Sequence, residues 1–561
     1  MTFWHDSKPA GAPSRNVRDD PREQNSFRQR CNRSPNSIII ALGIGLCNDF
    51  PGVMNSGVRL PSHQELTLKT RIALCCLFLL AASQVPLWAA ERNIIFFITD
   101  DQSPTLGCYG DPVAISPHLD AFAKEGTLFQ NAFATTASCS PSRAVILSGL
   151  HTHSNGQYGL AHSVHHFSSL DQVKPMTLPV RLAAAGYRTG HIGKLHVLPE
   201  PVYHFETYMK ANPRDTWRMV EACRKFITAK DERPFFLYIG ATDPHRSADE
   251  LENSPLKYKP NLFGNPARAD DPRTPDEQVF DPATVPVPDF LPDTPECRAE
   301  LAQYYQACAR IDRGFGHLLE ILKAAGLESK TLVVFTSDHG IAMPGAKTTT
   351  YDPGLRVPFV VRNPYEPKKG VVSQAMISHI DVTPSLLDFA GALTPESLLS
   401  AHLSDPPPAR PQQQKFYYPG KSWARILGES NPSGWDEVIA SHGLHEVTMY
   451  YPMRAIRDRD YKFIWNIASP LPFPFASDLY DSATWQAQLS RGPDALYGKK
   501  TVQQYSQRPR FEFYDLRNDP LELHNLADNP DLKDRLKSYQ QKMKRFQELT
   551  SDPWALKWDR E

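Results

Sequence analysis

Four short segments of this chain are apolar at nearly every position. They are Asn93–Thr99, Phe235–Ile239, Leu332–Thr336 and Pro358–Val361. Continuous apolar runs of this length are typical of strands that are buried on both faces of a sheet. The pattern therefore predicts a sheet that is covered by other elements on each side.

Helical patterns lie between these predicted strands. Ser116-Pro117 has the residue types that begin a helix, and Gly126 ends it. A longer helical pattern covers Arg298–Ala325, and a shorter one follows Asp381. Alternation of strands and helices favours an α/β fold in which a largely parallel sheet lies between helices.

The last 120 or so residues have a different pattern. Tyr451–Ile456 and Tyr461–Ile467 flank a charged turn and predict an antiparallel hairpin, with a third strand at Phe511–Tyr514. One apolar stripe then predicts a final helix. The residues of that stripe are Leu532, Leu536, Tyr539, Met543, Phe546 and Leu549. This part predicts a smaller α+β domain that contains an antiparallel sheet.

The beginning of the chain carries a segment typical of export. Residues 72–82 form an apolar run behind Lys69 and Arg71, and the small residues Ala89 and Ala90 follow. This arrangement is typical of a secretory signal peptide. The run is too short for a membrane-spanning helix, which needs about 20 apolar residues, so no stable membrane anchor is expected. We expect export to a periplasmic, secreted or lysosome-like compartment, with translation starting at Met54.

The predicted organisation has four parts. Residues 1–90 form an N-terminal extension with the signal peptide, residues 91–400 a catalytic domain, residues 401–440 a Pro-rich joint, and residues 441–561 the C-terminal α+β subdomain.

Composition and charge narrow the possible functions. The 561 residues include 61 Lys and Arg against 62 Asp and Glu, so the formal net charge is −1. This balance excludes the electrostatic footprint of a nucleic-acid-binding protein. Nine cysteines are present, and five follow the signal segment: Cys108, Cys139, Cys223, Cys297 and Cys308. An odd number in an oxidising compartment leaves at least one free thiol.

Acidic residues follow two of the predicted strands. Asp100-Asp101 come directly after the first strand, and Asp338-His339 come after the third. The carboxyl ends of parallel strands meet at one edge of a sheet, where three carboxylates would repel each other without a cation. Oxygen donors favour Ca²⁺ or Mg²⁺. The alternative interpretation is that each acid only caps a helix or a turn.

A cysteine stands where a short helix is predicted to begin. The segment is Cys139-Ser140-Pro141-Ser142-Arg143. The first turn of a helix stabilises anions through its free N–H groups, and an arginine adds a bidentate partner for a tetrahedral oxyanion. Taken alone, such a cysteine is more often structural. The C-x-P-x-R spacing, however, resembles the signal by which sulfatases have a cysteine oxidised to formylglycine.

The resemblance to the sulfatase family extends over about residues 92–550. Its landmarks appear in order as Asp100-Asp101, Cys139–Arg143, Gly193–His196, Asp243–His245, Asp338–Gly340 and Lys347, followed by Phe513–Leu516, Asp519-Pro520 and Asn525–Ala527. The resemblance implies an alkaline-phosphatase-like α/β fold. It also implies one Ca²⁺ per chain, held by Asp100, Asp101, Asp338, His339 and the modified residue 139, and a formylglycine-generating enzyme as a partner.

The same resemblance implies catalytic roles. Hydrated formylglycine at position 139 would offer two hydroxyls, one to attack sulfur and one to allow the release of sulfate. Arg143, Lys194 and Lys347 would hold the sulfuryl oxygens. Asp338, His196 or a neighbour would deprotonate the attacking hydroxyl, and His245 would be the general acid for the leaving group. Outside the family context, the two lysines would more often be ordinary surface residues, and the two histidines could equally be ordinary loop residues.

Within the family, several segments resemble the branch that hydrolyses the N-sulfate of terminal glucosamine in heparan-type chains. They include Ser138–Arg143, Gly159–Phe167, Arg233–Tyr238, Asp243–Arg246, His445–Arg454 and Asp478–Tyr480. The substrate would then be a sulfated amino sugar or a glycosaminoglycan. His165, His166, His445 and Glu446 would line the sugar pocket, although each could instead only pack. The sequence leaves open whether the chain forms a homodimer.

Two residues depart from the pattern of that branch. His339 stands where asparagine is expected, and Ser247 stands where animal relatives carry cysteine. Their disulfide pattern is therefore not transferred to this chain.

Three other functions stay open. The alternatives are an O-sulfatase on another sulfated polysaccharide, a non-catalytic protein that binds sulfated glycans, and a phosphodiester or phosphonate hydrolase.

Overall fold

The structure is a computed structural model that describes residues 92–162, 164–266, 278–398 and 416–560. The predicted signal peptide, the start at Met54 and the proline cluster Pro406–Pro411 lie outside these described residues.

An eight-stranded sheet forms the centre of the larger part. Its strands in spatial order are β4-β3-β5-β1-β6-β7-β2-β8. All neighbouring pairs are parallel except those of β7, which runs antiparallel to β6 and β2. The largely parallel sheet predicted from the sequence is therefore confirmed. The bounds are β1 Asn93–Thr99, β2 Thr127–Phe133, β3 Arg188–Gly193, β4 Thr207–Met209, β5 Phe235–Gly240, β6 Thr331–Ser337, β7 Phe359–Arg362 and β8 Val371–Ser378.

The central strand β1 explains why its sequence is continuously apolar. Ile94, Phe96 and Ile98 pack in a core on one face of the sheet, and Ile95 and Phe97 pack in a second core on the other face. Because side chains alternate between the two faces of a strand, a strand between two cores is apolar at every position.

Helices cover both faces of this sheet. The longest, Pro295–Ala324, begins three residues before the predicted start because Thr294 caps it by accepting from the Cys297 N–H and proline occupies its first turn. The other helices of this part are Pro117–Lys124, Cys139–Ser148, Thr152–Asn155, Leu178–Ala184, Thr216–Ile227, Asp352–Leu355 and Val382–Phe389.

The C-terminal part contains the predicted antiparallel sheet, with one strand more than expected. Its order is β14-β11-β10-β9. The additional strand, β9, spans residue 440, where the predicted joint ends. The bounds are β9 Glu437–His442, β10 Met453–Asp458, β11 Tyr461–Asn466 and β14 Phe511–Asp515, with a two-stranded sheet of β12 Leu496–Tyr497 and β13 Lys500–Thr501. The helices are Ser477–Tyr480, Ala483–Leu489, Val502–Ser506 and Lys533–Thr550.

The two faces of the smaller sheet have different partners. On one face, Phe463 and Trp465 pack with Tyr539 and Met543 of the final helix, as its apolar stripe predicts. On the other face, Ala455 and Ile464 share a core with Met343 and Leu355 of the larger part. The Lys462 ammonium, buried at this junction, pairs with Asp352 at 2.9 Å and Glu522 at 2.6 Å. The smaller sheet is therefore held against the loops that follow β6.

Two further properties of the described residues concern the state of their cysteines and the character of their helices. Cys108, Cys139, Cys223, Cys297 and Cys308 carry free thiols. Among the helices of the described residues, none combines the length and the apolar character that crossing a membrane requires.

Candidate active site

Four neighbouring parallel strands end at one place on the main sheet. In the order β3-β5-β1-β6, these strands are followed by Lys194, His245, Asp100-Asp101 and Asp338-His339 respectively. The sequence predicted the meeting of the acids, because the carboxyl ends of parallel strands share an edge. Each of these residues lies within five positions of a strand end, so the sheet itself sets their relative positions.

Three carboxylates form the floor of the site. Asp100, Asp101 and Asp338 are fully buried, and one oxygen from each lies within 4.8 Å of the others. The Asp101 N–H donates to Asp338 Oδ1 at 3.0 Å, which joins the two loops directly. Burial and the nearby charge of Asp100 raise the pKa of Asp338 well above its ordinary value. Such crowding indicates a site that needs a cation.

Arg143 lies behind the acids and connects them. Its Nε donates to Asp338 Oδ2 at 2.9 Å, and its Nη2 lies 3.3 Å from Asp100 Oδ1. Its Nη1 donates to the Lys194 carbonyl at 2.8 Å and lies 3.2 Å from the Tyr238 hydroxyl. The guanidinium is fully buried. Arg143 therefore fixes the acids and the loop after β3 in one arrangement.

Lys194 forms the second basic contact of Asp100. Its ammonium pairs directly with Asp100 Oδ2. Burial alone would raise the pKa of Asp100, but the charges of Lys194 and Arg143 hold that pKa well below its ordinary value. Asp100 is consequently ionised in the folded protein.

Cys139 begins the helix Cys139–Ser148 and faces the acids. Its Sγ lies 3.4 Å from His339 Nε2 and 3.8 Å from Asp101 Oδ1. Burial raises the pKa of the thiol well above its ordinary value, although Lys194 and Lys347 act in the opposite direction. An unmodified Cys139 would therefore be a neutral thiol, which is a poor nucleophile.

The surroundings of His339 indicate that a cation binds at this site. Its Nδ1 lies 3.0 Å from the Gly340 carbonyl oxygen, so Nδ1 carries the hydrogen and Nε2 carries a lone pair. This Nε2 faces Asp101 Oδ1 at 3.1 Å. Burial lowers the pKa of His339 to about 4, so a proton does not separate these two acceptors at neutral pH. A metal ion would satisfy both acceptors.

Lys347 lies on the opposite side of Asp101. Its Nζ lies 3.0 Å from Asp101 Oδ2, 2.8 Å from Asp478 Oδ2 and 3.3 Å from His245 Nε2. The His245 Nδ1 lies 2.6 Å from the Arg246 carbonyl, so it is the donor in that contact. The Nε2 of the neutral His245 ring therefore accepts from the Lys347 ammonium.

Three residues of the site have a strained backbone conformation. Asp101, His196 and Thr348 have φ values of 65°, 58° and 64°, in the left-handed region that non-glycine residues rarely adopt. Each such residue costs about 1–2 kcal/mol. The His196 Nε2 lies 3.0 Å from His162 Nε2, and its buried Nδ1 lacks a hydrogen-bond partner in the described part of the chain. Strain of this kind is typical of functional sites.

A cavity of about 590 Å³ opens above these residues. Cys139, Lys194, His196, His245 and Lys347 line it, and so do His162, His165, Arg214, Asp249, His445, Glu446 and Asp478. The volume is in the range of small-molecule sites.

The residues predicted to bind substrate occupy different positions around this cavity. His445 is buried, and its Nδ1 lies 2.8 Å from Ser138 Oγ, directly beside Cys139. Glu446 accepts from the Ser477 N–H at 3.0 Å, and His165 Nδ1 accepts from the Val447 N–H at 3.3 Å. His166 is exposed and does not line the cavity.

Two glycines allow the ends of β3 and β5 to approach each other. Gly193 has φ +83°, and a Cβ there would lie 2.1 Å from the Gly240 carbonyl oxygen. A Cβ on Gly240 would lie 2.2 Å from the Lys194 carbonyl oxygen. The Lys194 N–H donates to the Gly240 carbonyl at 2.7 Å. The absence of side chains at these two positions therefore sets the location of Lys194.

Replacing Gly193 with alanine is expected to destabilise the protein by about 3 kcal/mol or more, because a left-handed φ and a backbone clash add together. Gly186→Ala is the matched control, since Gly186 has φ +89° with open space around its Cβ position. The control isolates the cost of the left-handed φ, about 1–2 kcal/mol. Urea unfolding of both variants measures the difference, and equal losses would contradict the proposed close approach.

A family model matches the part of the chain that carries these residues. The model described as Sulfatase matches residues 92–392. The chain belongs to the sulfatase family. The matched residues contain the whole main sheet and every strand end described above. The fold and the family inferred from the sequence are therefore confirmed.

Curated relatives of this sulfatase match over most of their length. Human N-sulphoglucosamine sulphohydrolase is 39% identical over 497 residues, which cover 86% of this chain and 94% of the human protein. A ulvan-active sulfatase of Formosa agariphila is 29% identical over 457 residues, covering 79% of this chain and 77% of that protein.

Solved structures share the fold of this sulfatase. One is a complex with its substrate D-glucosamine-2-N,6-O-disulfate, with a TM-score of 0.56 at 20% identity, covering 82% of this chain and 99% of that chain. Another is the phosphonate monoester hydrolase of Agrobacterium radiobacter, with a TM-score of 0.54 at 18% identity, covering 81% of this chain and 94% of that chain.

Sequence reasoning missed three residues of the sulfatase's site. Asp478 contacts Lys347, His162 contacts His196, and Tyr238 contacts Arg143. Asp478 and Tyr238 fall inside segments that resemble one branch of the family, which was their only signal. His162 likewise lies inside the resembling segment Gly159–Phe167, but nothing there predicted its contact with His196, because that contact depends on how two loops fold together.

Proposed function

We propose that this sulfatase removes the N-sulfate from terminal glucosamine residues of heparan-type chains. The observation that carries the proposal is the 39% identity to human N-sulphoglucosamine sulphohydrolase over 94% of that protein. The cavity supports it, since its lysines suit a sulfated group and its carboxylates suit an amino sugar.

The acid cluster fits a calcium ion. Asp100, Asp101 and Asp338 would supply oxygen ligands, and the His339 Nε2 lone pair and the side chain at position 139 would complete the site. When bound, Ca²⁺ would act as a Lewis acid that draws charge from the sulfuryl oxygens. Arg143 would keep Asp100 and Asp338 in position for this role, through the contacts at 3.3 and 2.9 Å.

Cys139 would be converted to formylglycine by a formylglycine-generating enzyme. The hydrated aldehyde would supply a hydroxyl for attack on sulfur and a second hydroxyl that permits sulfate release. The neutral thiol of unmodified Cys139 supplies neither. Because residue 139 is only 1% exposed, the oxidation would take place before the chain folds around it.

The chain's own cations would then hold the transferred group. Lys194 and Lys347 line the cavity together with Cys139, so their ammonium groups would contact the sulfuryl oxygens and stabilise the charge that develops there. His196 also lines the cavity. Burial and the charge of Lys194 lower the pKa of His196 well below its ordinary value, so its ring is neutral and would be a weak base.

His245 would deliver the proton to the leaving group. Its fixed hydrogen is on Nδ1, which donates to the Arg246 carbonyl. The transferred proton must therefore pass through Nε2, which carries none in the neutral ring and would first take the proton of the attacking hydroxyl. Nε2 lies 3.6 Å from Asp101 Oδ2. The Asp101 carboxylate would stabilise the imidazolium while it carries that proton.

A comparison of three substrates tests the proposed function. They are N-sulfoglucosamine, glucosamine 6-O-sulfate and 4-nitrophenyl sulfate, assayed with protein in which mass spectrometry shows formylglycine at position 139. We expect kcat/KM for the N-sulfate to exceed that for the 6-O-sulfate by about 100-fold or more. Preference for the 6-O-sulfate would identify an O-sulfatase. Inactivity toward all three would indicate a non-catalytic glycan-binding protein.

Export belongs to the same proposal. We propose that the chain starts at Met54 and loses the apolar run 72–82 on the way to a periplasmic, secreted or lysosome-like compartment. N-terminal sequencing of the natively produced protein reads the result, and a mature protein that retains residues 1–50 would contradict it.

A further inference from the structure

Asp478 reaches the site from the C-terminal part of the chain. It belongs to the short helix Ser477–Tyr480 and lines the cavity opposite the strand ends. Its Oδ2 accepts from the Lys347 ammonium at 2.8 Å. One Asp478 oxygen lies within 4.8 Å of ligand atoms of both Asp101 and His245. Asp478 is thus beside the group proposed to protonate the leaving atom.

The second oxygen of Asp478 has no assigned role. In the described part of the chain, the buried Oδ1 has no hydrogen-bond partner. Burial acts against the charge, but the Lys347 ammonium holds the pKa of Asp478 below its ordinary value. An ionised carboxylate oxygen that is buried without a donor is costly, which indicates that a ligand supplies the donor.

Other acids of the cavity are less suited to meet such a donor. Glu446 Oε1 already accepts from the Ser477 N–H and the Ser477 hydroxyl, at 3.0 and 2.5 Å. Asp249 lies on the exposed rim. Among the carboxylates that line the cavity, Asp478 is the one grouped with Asp101 and His245.

N-sulfated and O-sulfated sugars differ at the atom that leaves. A sulfamate nitrogen carries a hydrogen and can donate, whereas the bridging oxygen of a sulfate ester carries none. After cleavage, the sugar amine takes up a proton at neutral pH and becomes an ammonium, whereas the alcohol stays neutral. A carboxylate beside the leaving atom therefore favours the nitrogen substrate in both stages.

We propose that Asp478 Oδ1 accepts the N–H of the sulfamate and then binds the sugar ammonium, so that Asp478 selects N-sulfate over O-sulfate. This inference rests on the proposed function. In the step, the S–O bond to the attacking hydroxyl forms and the S–N bond breaks. The attacking hydroxyl gives its proton to His245 Nε2, which carries none in the neutral ring. The electron pair of the S–N bond stays on nitrogen, which takes that proton from His245 Nε2. A further proton from water gives the ammonium that Asp478 holds.

Asp478→Asn tests the selection, because it keeps the shape of the side chain and removes the charge. Hydrogen bonds to charged groups contribute enough that kcat/KM for N-sulfoglucosamine should fall about 100-fold, while that for 4-nitrophenyl sulfate falls less than about 5-fold. Asp481→Asn is the matched control: Asp481 is an exposed aspartate three residues further along, and the control should leave both substrates unchanged. Equal losses on both substrates would show that Asp478 acts only through Lys347, and would overturn the proposal.

A binding measurement separates this inference from the proposed function. Titration calorimetry of the wild type with glucosamine and N-acetylglucosamine needs no turnover. We expect Asp478→Asn to weaken glucosamine binding at least about 10-fold and to leave N-acetylglucosamine binding unchanged. Unchanged glucosamine binding would overturn the role of Asp478. A wild type that binds glucosamine through Asp478 but does not cleave N-sulfoglucosamine would contradict the proposed function alone.

Discussion

Cys139→Ala is expected to lower kcat/KM for every sulfated substrate by about 10⁴-fold or more, because the variant loses the side chain that attacks sulfur. The cost in stability should be small, about 1 kcal/mol, since only one buried sulfur is removed. Substrate turnover and urea unfolding of the same preparation measure both effects. The result would separate a chemical role for Cys139 from a structural one.

The matched control for this variant is Cys108→Ala. Cys108 is a free cysteine that lies outside the cavity and has no contact with the acid cluster among its described hydrogen bonds. It should retain full turnover. Sulfate release by Cys139→Ala at more than about one-hundredth of the wild-type rate would refute the proposed nucleophile. A plain thiol at position 139 in active, natively produced protein would refute it as well.

Arg143→Met is expected to destabilise the protein by about 3–5 kcal/mol, which is the typical cost of leaving buried charges without their partner. The guanidinium is fully buried and contacts both Asp100 and Asp338. Methionine fills similar space but leaves these carboxylates without the charge that opposes theirs. Turnover should be lost as well, since the same acids are the proposed calcium ligands. The shift of the urea midpoint, measured with a chelator present, gives the change in stability.

Arg425→Met provides the comparison for that loss. Arg425 forms a similar bidentate pair with Asp388, at 2.7 and 3.1 Å, but its side chain is 67% exposed. A pair in that position contributes at most about 1 kcal/mol. If both variants lost the same small amount, the view that Arg143 stabilises the acid cluster would be wrong.

The sequence predicted those strands whose two faces are both apolar. Strand β1 is one, because each of its residues enters a core. Strand β3 was missed, since Arg188, Thr189 and His191 break the apolar pattern although all three are buried. The structure accommodates Arg188 by placing its guanidinium 4.7 Å from the Phe226 ring and letting Nη1 donate to the Phe226 carbonyl. Only the tertiary partner makes such a residue acceptable inside a sheet.

The residues of the site also divide into some that the sequence predicted and some that it did not. The acids and Lys194 lie within a few residues of strand ends. The alternation of strands and helices predicts a parallel sheet, and the carboxyl ends of its strands share one edge, so the sequence implies that these residues lie close together. Asp478 follows no strand of the main sheet, and its place beside Lys347 depends on how the smaller sheet packs against the loops after β6. The spacing of residues along the chain does not show how the smaller sheet packs, so it could not predict the position of Asp478.

The cavity is built from two stretches of chain that are far apart in the sequence. Residues 100–347 supply the groups proposed to bind and transfer sulfate, and residues 445–478 supply His445, Glu446 and Asp478, which are proposed to contact the sugar. Changes in the second stretch could therefore redirect the enzyme to another sugar while the chemistry of sulfate transfer is inherited intact. Because the two stretches can change independently, an ancestral hydrolase could acquire new sugar substrates through substitutions in one stretch at a time.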